Sequence, residues 1–170
     1  IVKRFFEGAD AGQYAALALI GRIVFFATWS VVLTMFPLVA QKQQRKEPHR
    51  HLLFSGLGMV AVVSTAIVGG SALMPEWIVR ILFGAEYLPV APLLWLYSLA
   101  TALFALANVI INYRLALGNR GGTVFALIAG IAQVVVLLFL HATLLQVVVV
   151  QVVIMAILFA TLALWEMRGE

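Results

Sequence analysis

The chain has 170 residues, of which 64% are hydrophobic and only 11% are charged, against about 25% charged in an ordinary soluble domain. Eleven Lys and Arg against seven Asp and Glu leave a net charge of +4, and cysteine is absent. These figures exclude a soluble globular domain, whose surface so few charges could not cover, a disordered chain, a disulfide framework and a Cys-ligated metal site. The expected fold class is all-α, a polytopic membrane helix bundle.

A helix needs roughly 20 apolar residues to cross a hydrocarbon core of about 30 Å. Five runs meet that length: 14–39, 52–74, 88–117, 123–140 and 144–165. Arg22 and Arg114 are the charges inside them. The runs are too long, and too apolar on every side, for the alternating strands of about 10 residues that build a membrane barrel. Pro89 and Pro92 fall where a first helical turn tolerates a missing N–H, and Gly118-Asn119 and Gly121-Gly122 mark the far end of that run. The few residues around His141 predict a tight hairpin between the last two spans. Segment 75–87 is too polar to span. Glu76, Arg80 and Glu86 stand among Trp77, Ile78, Ile81, Leu82 and Phe83, which predicts a short interfacial helix with Trp77 and Tyr87 at headgroup level.

Basic residues set the expected orientation. Lys42, Arg45, Lys46, Arg50, Arg114, Arg120 and Arg168 gather on one side, against Lys3, Arg4 and Arg80 on the other, so the first side is expected to be cytoplasmic. The positive charge is therefore read as topology, with no nucleic acid partner. The chain would enter from outside and end in the cytoplasm. With an odd number of spans, no initiator Met, and Ile1 to Phe6 resembling a helix end, it reads as the C-terminal piece of a larger transporter whose N-terminal lobe is the missing partner. The whole of 1–170 is expected to be a single membrane domain.

Several stretches also carry a family resemblance. Phe5-Phe6-Glu7-Gly8-Ala9-Asp10-Ala11-Gly12-Gln13-Tyr14 continues through Leu19-Ile20-Gly21-Arg22-Ile23, and Phe36-Pro37-Leu38 follows. Further along come Met74-Pro75-Glu76-Trp77, then Phe83-Gly84-Ala85-Glu86-Tyr87, and Ala91-Pro92-Leu93-Leu94-Trp95-Leu96. Together these resemble the polysaccharide biosynthesis branch of the multidrug/oligosaccharidyl-lipid/polysaccharide exporter superfamily, the O-antigen-type flippases. The resemblance implies two lobes of six or more helices around a central cavity, with these five as the eighth to twelfth. It implies flipping of an undecaprenyl-pyrophosphate-linked oligosaccharide across the bacterial inner membrane, with membrane lipids as the surroundings and no cofactor.

Arg22 is the sharpest candidate. It lies about 8 residues, roughly 12 Å, into its span, where a cation needs a cavity or a partner. It is expected either to bind a pyrophosphate or to snorkel to headgroups or stack on Phe25, Phe26 or Trp29. Tyr97, Thr101, Asn108 and Asn112 share one face of the third span and would either bond sugar hydroxyls in a wet cavity or join helices. Gln133 and Gln151 are expected to pack, as are the small pairs Thr65/Gly69 and Ala126/Gly130. Arg114 is assigned to headgroup contact, and His49 and His51 to a solvated basic loop rather than a metal site. All seven carboxylates fall outside the runs, and no nucleophile–base pair or phosphate loop is present, so no enzyme is expected. The alternatives are a multidrug exporter of the same superfamily, which would call for a buried carboxylate, and a non-transport subunit of a glycan-synthesis assembly.

Overall fold

The computed structural model describes residues 9–140 and 142–168, with side chains from Gly12 onward. The described residues are almost wholly helical and contain no strand. Six α-helices follow one another: α1 (Ala9–Gln44), α2 (Arg50–Leu73), α3 (Pro75–Leu82), α4 (Leu94–Ala116), α5 (Gly121–Phe139) and α6 (Leu144–Arg168). Five of them are long and apolar enough to cross a membrane. In hydrocarbon every backbone N–H and C=O must be paired within the segment, and the helix does this without a neighbour. The class is therefore a multi-pass α-helical membrane protein.

The turns follow from local chemistry. At the end of α1, Lys46 takes the left-handed conformation (φ 57°). Its amide bonds the Gln43 carbonyl, and the Glu47 amide reaches back to Lys42 at 2.9 Å. This paired arrangement satisfies carbonyls that the helix end would leave bare. Gly118 (φ 81°) does the same for α4, with its amide on Leu115 and the Asn119 amide on Arg114. The Asn119 side chain then accepts the Gly121 amide at 2.9 Å and opens α5. Between α5 and α6 the pattern Thr143-Leu144-Leu145-Gln146 forms a capping box. The Gln146 amide donates to Thr143 Oγ1, and Gln146 Oε1 accepts from the Ala142 amide. His141 itself lies outside the described residues.

The interfacial segment is shorter than the sequence predicts. α3 starts on Pro75 and stops at Leu82, because Gly84 adopts φ 99° and ψ 171°, a region that favours glycine. Ala85–Leu93 continues as a 3-10 turn holding Pro89 and Pro92, so regular α4 begins only at Leu94. The two prolines supply no N–H to an α-helical ladder. Trp77 is exposed as expected, whereas Tyr87 turns inward onto Phe83 and the core beneath.

α4 is the central post. Half of its most apolar window is buried in the bundle, against 11% for α5, the outermost span. Ala100, Ala102, Ala105 and Ala107 are buried along α4. Small side chains let backbones approach, which matters where lipid supplies no hydrophobic drive for helix association. α1 turns Leu17, Ile20, Val24, Thr28, Val32, Met35 and Val39 inward, a regular three-four spacing along one face. Its Ile23, Phe26 and Leu33 are exposed on the other. One core cluster joins α1, α2, α4 and α6 around Met35, Leu53, Val109 and Leu162. A second joins α1, α3, the 3-10 turn, α4 and α6 around Leu17, Val79, Leu94 and Val148.

Candidate functional site

Glycine decides how α1 meets α4. A methyl group at Gly21 would sit 2.5 Å from Tyr97 Cε1 and 2.9 Å from Thr101 Oγ1, so only glycine admits this contact. The same junction is bordered by an edge-to-face pair of Tyr14 and Tyr97, with ring centres 5.9 Å apart. From α6, Gln151 Nε2 donates to the Tyr14 hydroxyl at 3.2 Å. Three helices thus meet at polar groups inside the spans.

Beside this junction lies a cleft of about 220 Å³, lined by Tyr97, Ala100, Thr101, Phe104, Gln133, Gln151 and Met155. Gln151 Oε1 is buried there and has no hydrogen-bond partner among the described residues. A buried amide oxygen left unpaired costs about 1–3 kcal/mol, so it is a standing acceptor for a bound donor. Thr101 Oγ1 donates to the Tyr97 carbonyl at 3.1 Å and keeps its lone pairs. The cleft therefore offers neutral hydrogen-bonding groups on a largely apolar wall. Gln133 and Gln151, assigned to packing from the sequence, belong to this cleft. Their isolation in apolar runs was the available signal, but only the crossing of α4, α5 and α6 brings them to Tyr97 and Thr101.

Arg22 follows Gly21 and is exposed on α1. The midpoint of the Gly12–Gln44 span is near Thr28, so Arg22 is about six residues, roughly 9 Å, from it along the axis. Arg22 makes no ion pair or hydrogen bond among the described residues. The expected stacking on Phe25, Phe26 or Trp29 is absent. Phe25 instead stacks on Trp29 and on Phe104, with centroids 5.2 and 5.9 Å away. Arg22 does not line the cleft; its neighbour Gly21 is the residue that packs against Tyr97 and Thr101, at one end of the polar stripe. The other end is separate: Asn112 Nδ2 donates to the Asn108 carbonyl and side-chain oxygens at 2.9 and 3.0 Å, and neither Asn lines the cleft.

Three other sequence expectations change. Arg114 is not simply a headgroup contact. It pairs with Glu166 of α6, both side chains being only 13–14% exposed, and it lies 4.6 Å over the Trp165 ring. Glu166 belongs to the last turns of α6 and is half-buried against Arg114. His49 is not merely solvated, since its Nδ1 is 2.9 Å from the Tyr113 hydroxyl. Gly69 and Gly130 have open space around them, so they do not serve packing inside the described bundle. Gly21, Gly56 and Gly122 do: a methyl at Gly122 would meet the Ile111 backbone at 3.3 Å.

No group of three or more His, Cys, Asp or Glu capable of holding a metal occurs among the described residues. Comparison with protein-family models, with curated proteins and with solved structures finds no match for the chain.

Proposed function

We propose that the chain is part of an exporter that moves an undecaprenyl-pyrophosphate-linked oligosaccharide, or a similar polysaccharide precursor, across the bacterial cytoplasmic membrane. The observation that carries this reading is Arg22. It is a cation within a span, exposed on α1 without an ion pair among the described residues, one residue after the Gly21 that packs against two residues of the cleft, Tyr97 and Thr101. A guanidinium matches pyrophosphate oxygens in a bidentate fork, and Thr101, Tyr97, Gln133 and Gln151 match sugar hydroxyls. The resemblance noted from the sequence points the same way. The protein would work by alternating access, with a second lobe rocking against this one and the headgroup sheltered between them.

A cation exporter is less well supported. It would need a free intramembrane carboxylate, and the half-buried carboxylate among the described residues, Glu166, is already engaged by Arg114.

The test is export of lipid-linked oligosaccharide by the full-length protein carrying Arg22→Ala or Arg22→Lys. Alanine is expected to abolish export at unchanged membrane abundance, and lysine to restore part of it. Export at the unsubstituted rate by both variants would remove Arg22 from substrate binding. A drug-resistance phenotype without a glycan defect would replace the reading with the multidrug one.

A further inference from the structure

The short helix α3 carries a second polar site, at the membrane boundary and independent of the exporter reading. α2 ends at Leu73 after 24 residues, about 36 Å of rise, so the chain has crossed the hydrocarbon core when α3 begins. The inner side of α3 is anchored, with Val79 fully buried and Ile78 packed against the second core cluster. Its other side is open, and Trp77 is 64% exposed, with Ile81 and Leu82 also exposed.

A groove of about 730 Å³ runs between the end of α2 and α3, lined by Leu73, Met74, Pro75, Glu76, Trp77 and Arg80. Its walls are apolar, and its charges are one acid and one base. Glu76 and Arg80 are one helical turn apart, the spacing at which side chains are neighbours. Yet they form no ion pair with each other or with any other described residue. Both charges are exposed and free to take opposite ends of one ligand.

We propose that this groove binds an ethanolamine phospholipid, with its phosphate on Arg80, its ammonium on Glu76, and its glycerol and upper acyl chains along Trp77, Met74 and Leu73. The charge order carries the choice. An anionic headgroup would satisfy Arg80 and be repelled by Glu76. A choline headgroup has the right charges but no N–H to donate to the carboxylate, so it forgoes a charge-assisted hydrogen bond. A free zwitterion would leave the apolar walls unfilled. Ethanolamine phospholipid supplies both charges, the donor and the chains, and Trp is a favoured side chain at headgroup level.

The experiment places the full chain in nanodiscs with equal amounts of phosphatidylethanolamine, its mono- and dimethylated forms, phosphatidylcholine and phosphatidylglycerol. Lipid retained after a detergent wash is then identified by mass spectrometry. The three lipids that keep an N–H are expected to be retained about tenfold over phosphatidylcholine, the size of one charge-assisted hydrogen bond. Glu76→Gln is expected to bring that ratio close to one, and Arg80→Gln to reduce retention of every phospholipid, both with unchanged helix content. Equal retention of the methylation series by the unsubstituted chain, preference for phosphatidylglycerol, or no retained phospholipid would each overturn the proposal. The methylation series needs no variant, so a misfolded substitution cannot obscure the outcome.

Discussion

Replacing Gly21 by alanine probes the junction on which the cleft depends. The added methyl would stand 2.5 Å from Tyr97 Cε1 and 3.3 Å from Tyr97 Cδ1, where packed carbons sit at about 3.5–4.0 Å. The ring would have to retreat by about 1 Å. It has little freedom, because it also packs edge-to-face on Tyr14, itself bonded to Gln151, so α1 must lift from α4 instead. Forcing an extra methyl into a packed contact costs about 1–3 kcal/mol. Alanine returns at most about 1 kcal/mol through its better helix propensity. The control is Gly130→Ala on α5, where a methyl meets nothing within 4 Å. There only propensity acts, and the change is expected to be neutral or mildly stabilising. The two variants should therefore differ by about 2 kcal/mol in unfolding free energy, measured by SDS titration in mixed micelles with far-ultraviolet circular dichroism. Adding Tyr97→Ala to Gly21→Ala should cost less than the sum of the two single changes, because the clash is gone. Equal stability of the Gly21 and Gly130 variants, within about 0.5 kcal/mol, would refute the close approach of α1 and α4.

Glu166→Gln leaves Arg114 half-buried against Trp165 without its counter-charge, and the same titration should register a loss of about 2–3 kcal/mol. The double variant Arg114→Leu/Glu166→Leu should lose less than Glu166→Gln does, since neither charge is then stranded; a larger loss in the double variant would rule out this account. Thr143→Ala removes the cap on α6 and is expected to cost about 1 kcal/mol, with faster amide exchange confined to the first turn of α6. Ser64 is 3% exposed and its hydroxyl has no partner among the described residues, so Ser64→Ala should leave stability unchanged or raise it by up to about 1 kcal/mol. The natural absence of cysteine allows a clean topology test with a membrane-impermeant thiol reagent. Gln43→Cys and Arg120→Cys should label from one side of the membrane and Ala142→Cys from the other, and labelling of all three from one side would contradict the alternating order of the spans.

How much was legible in the sequence differs from feature to feature. The helix ends were readable because they are local: Gly118-Asn119 and the short hairpin after Phe139 act within a few residues. The break after Leu82 was not, because Gly84 only becomes a stop once its positive φ is adopted, and Pro89 and Pro92 suit a 3-10 turn as well as a helix start. For the candidate site, the polar residues of α4 stood out as a stripe. What could not be read was that Tyr97 and Thr101 meet Gln133 and Gln151, while Asn108 and Asn112 satisfy each other.

The sequence by itself determined the class, the number of long apolar helices and the places where they turn. Spanning length and backbone satisfaction in hydrocarbon depend on composition along the chain, so they need no knowledge of neighbours. Only the tertiary structure decided which face of each helix turns inward. In a soluble helix the contrast between polar and apolar faces carries that information. Here Leu17 and Val24 point into the bundle and Ile23 and Phe26 point out of it, although all four are apolar. The choice rests on shape: Gly21 fits beneath Tyr97, the alanines of α4 let its neighbours close in, and Arg114 finds Glu166 across 52 residues of chain. Such contacts exist only once the helices have packed, and the polar cleft exists only with them.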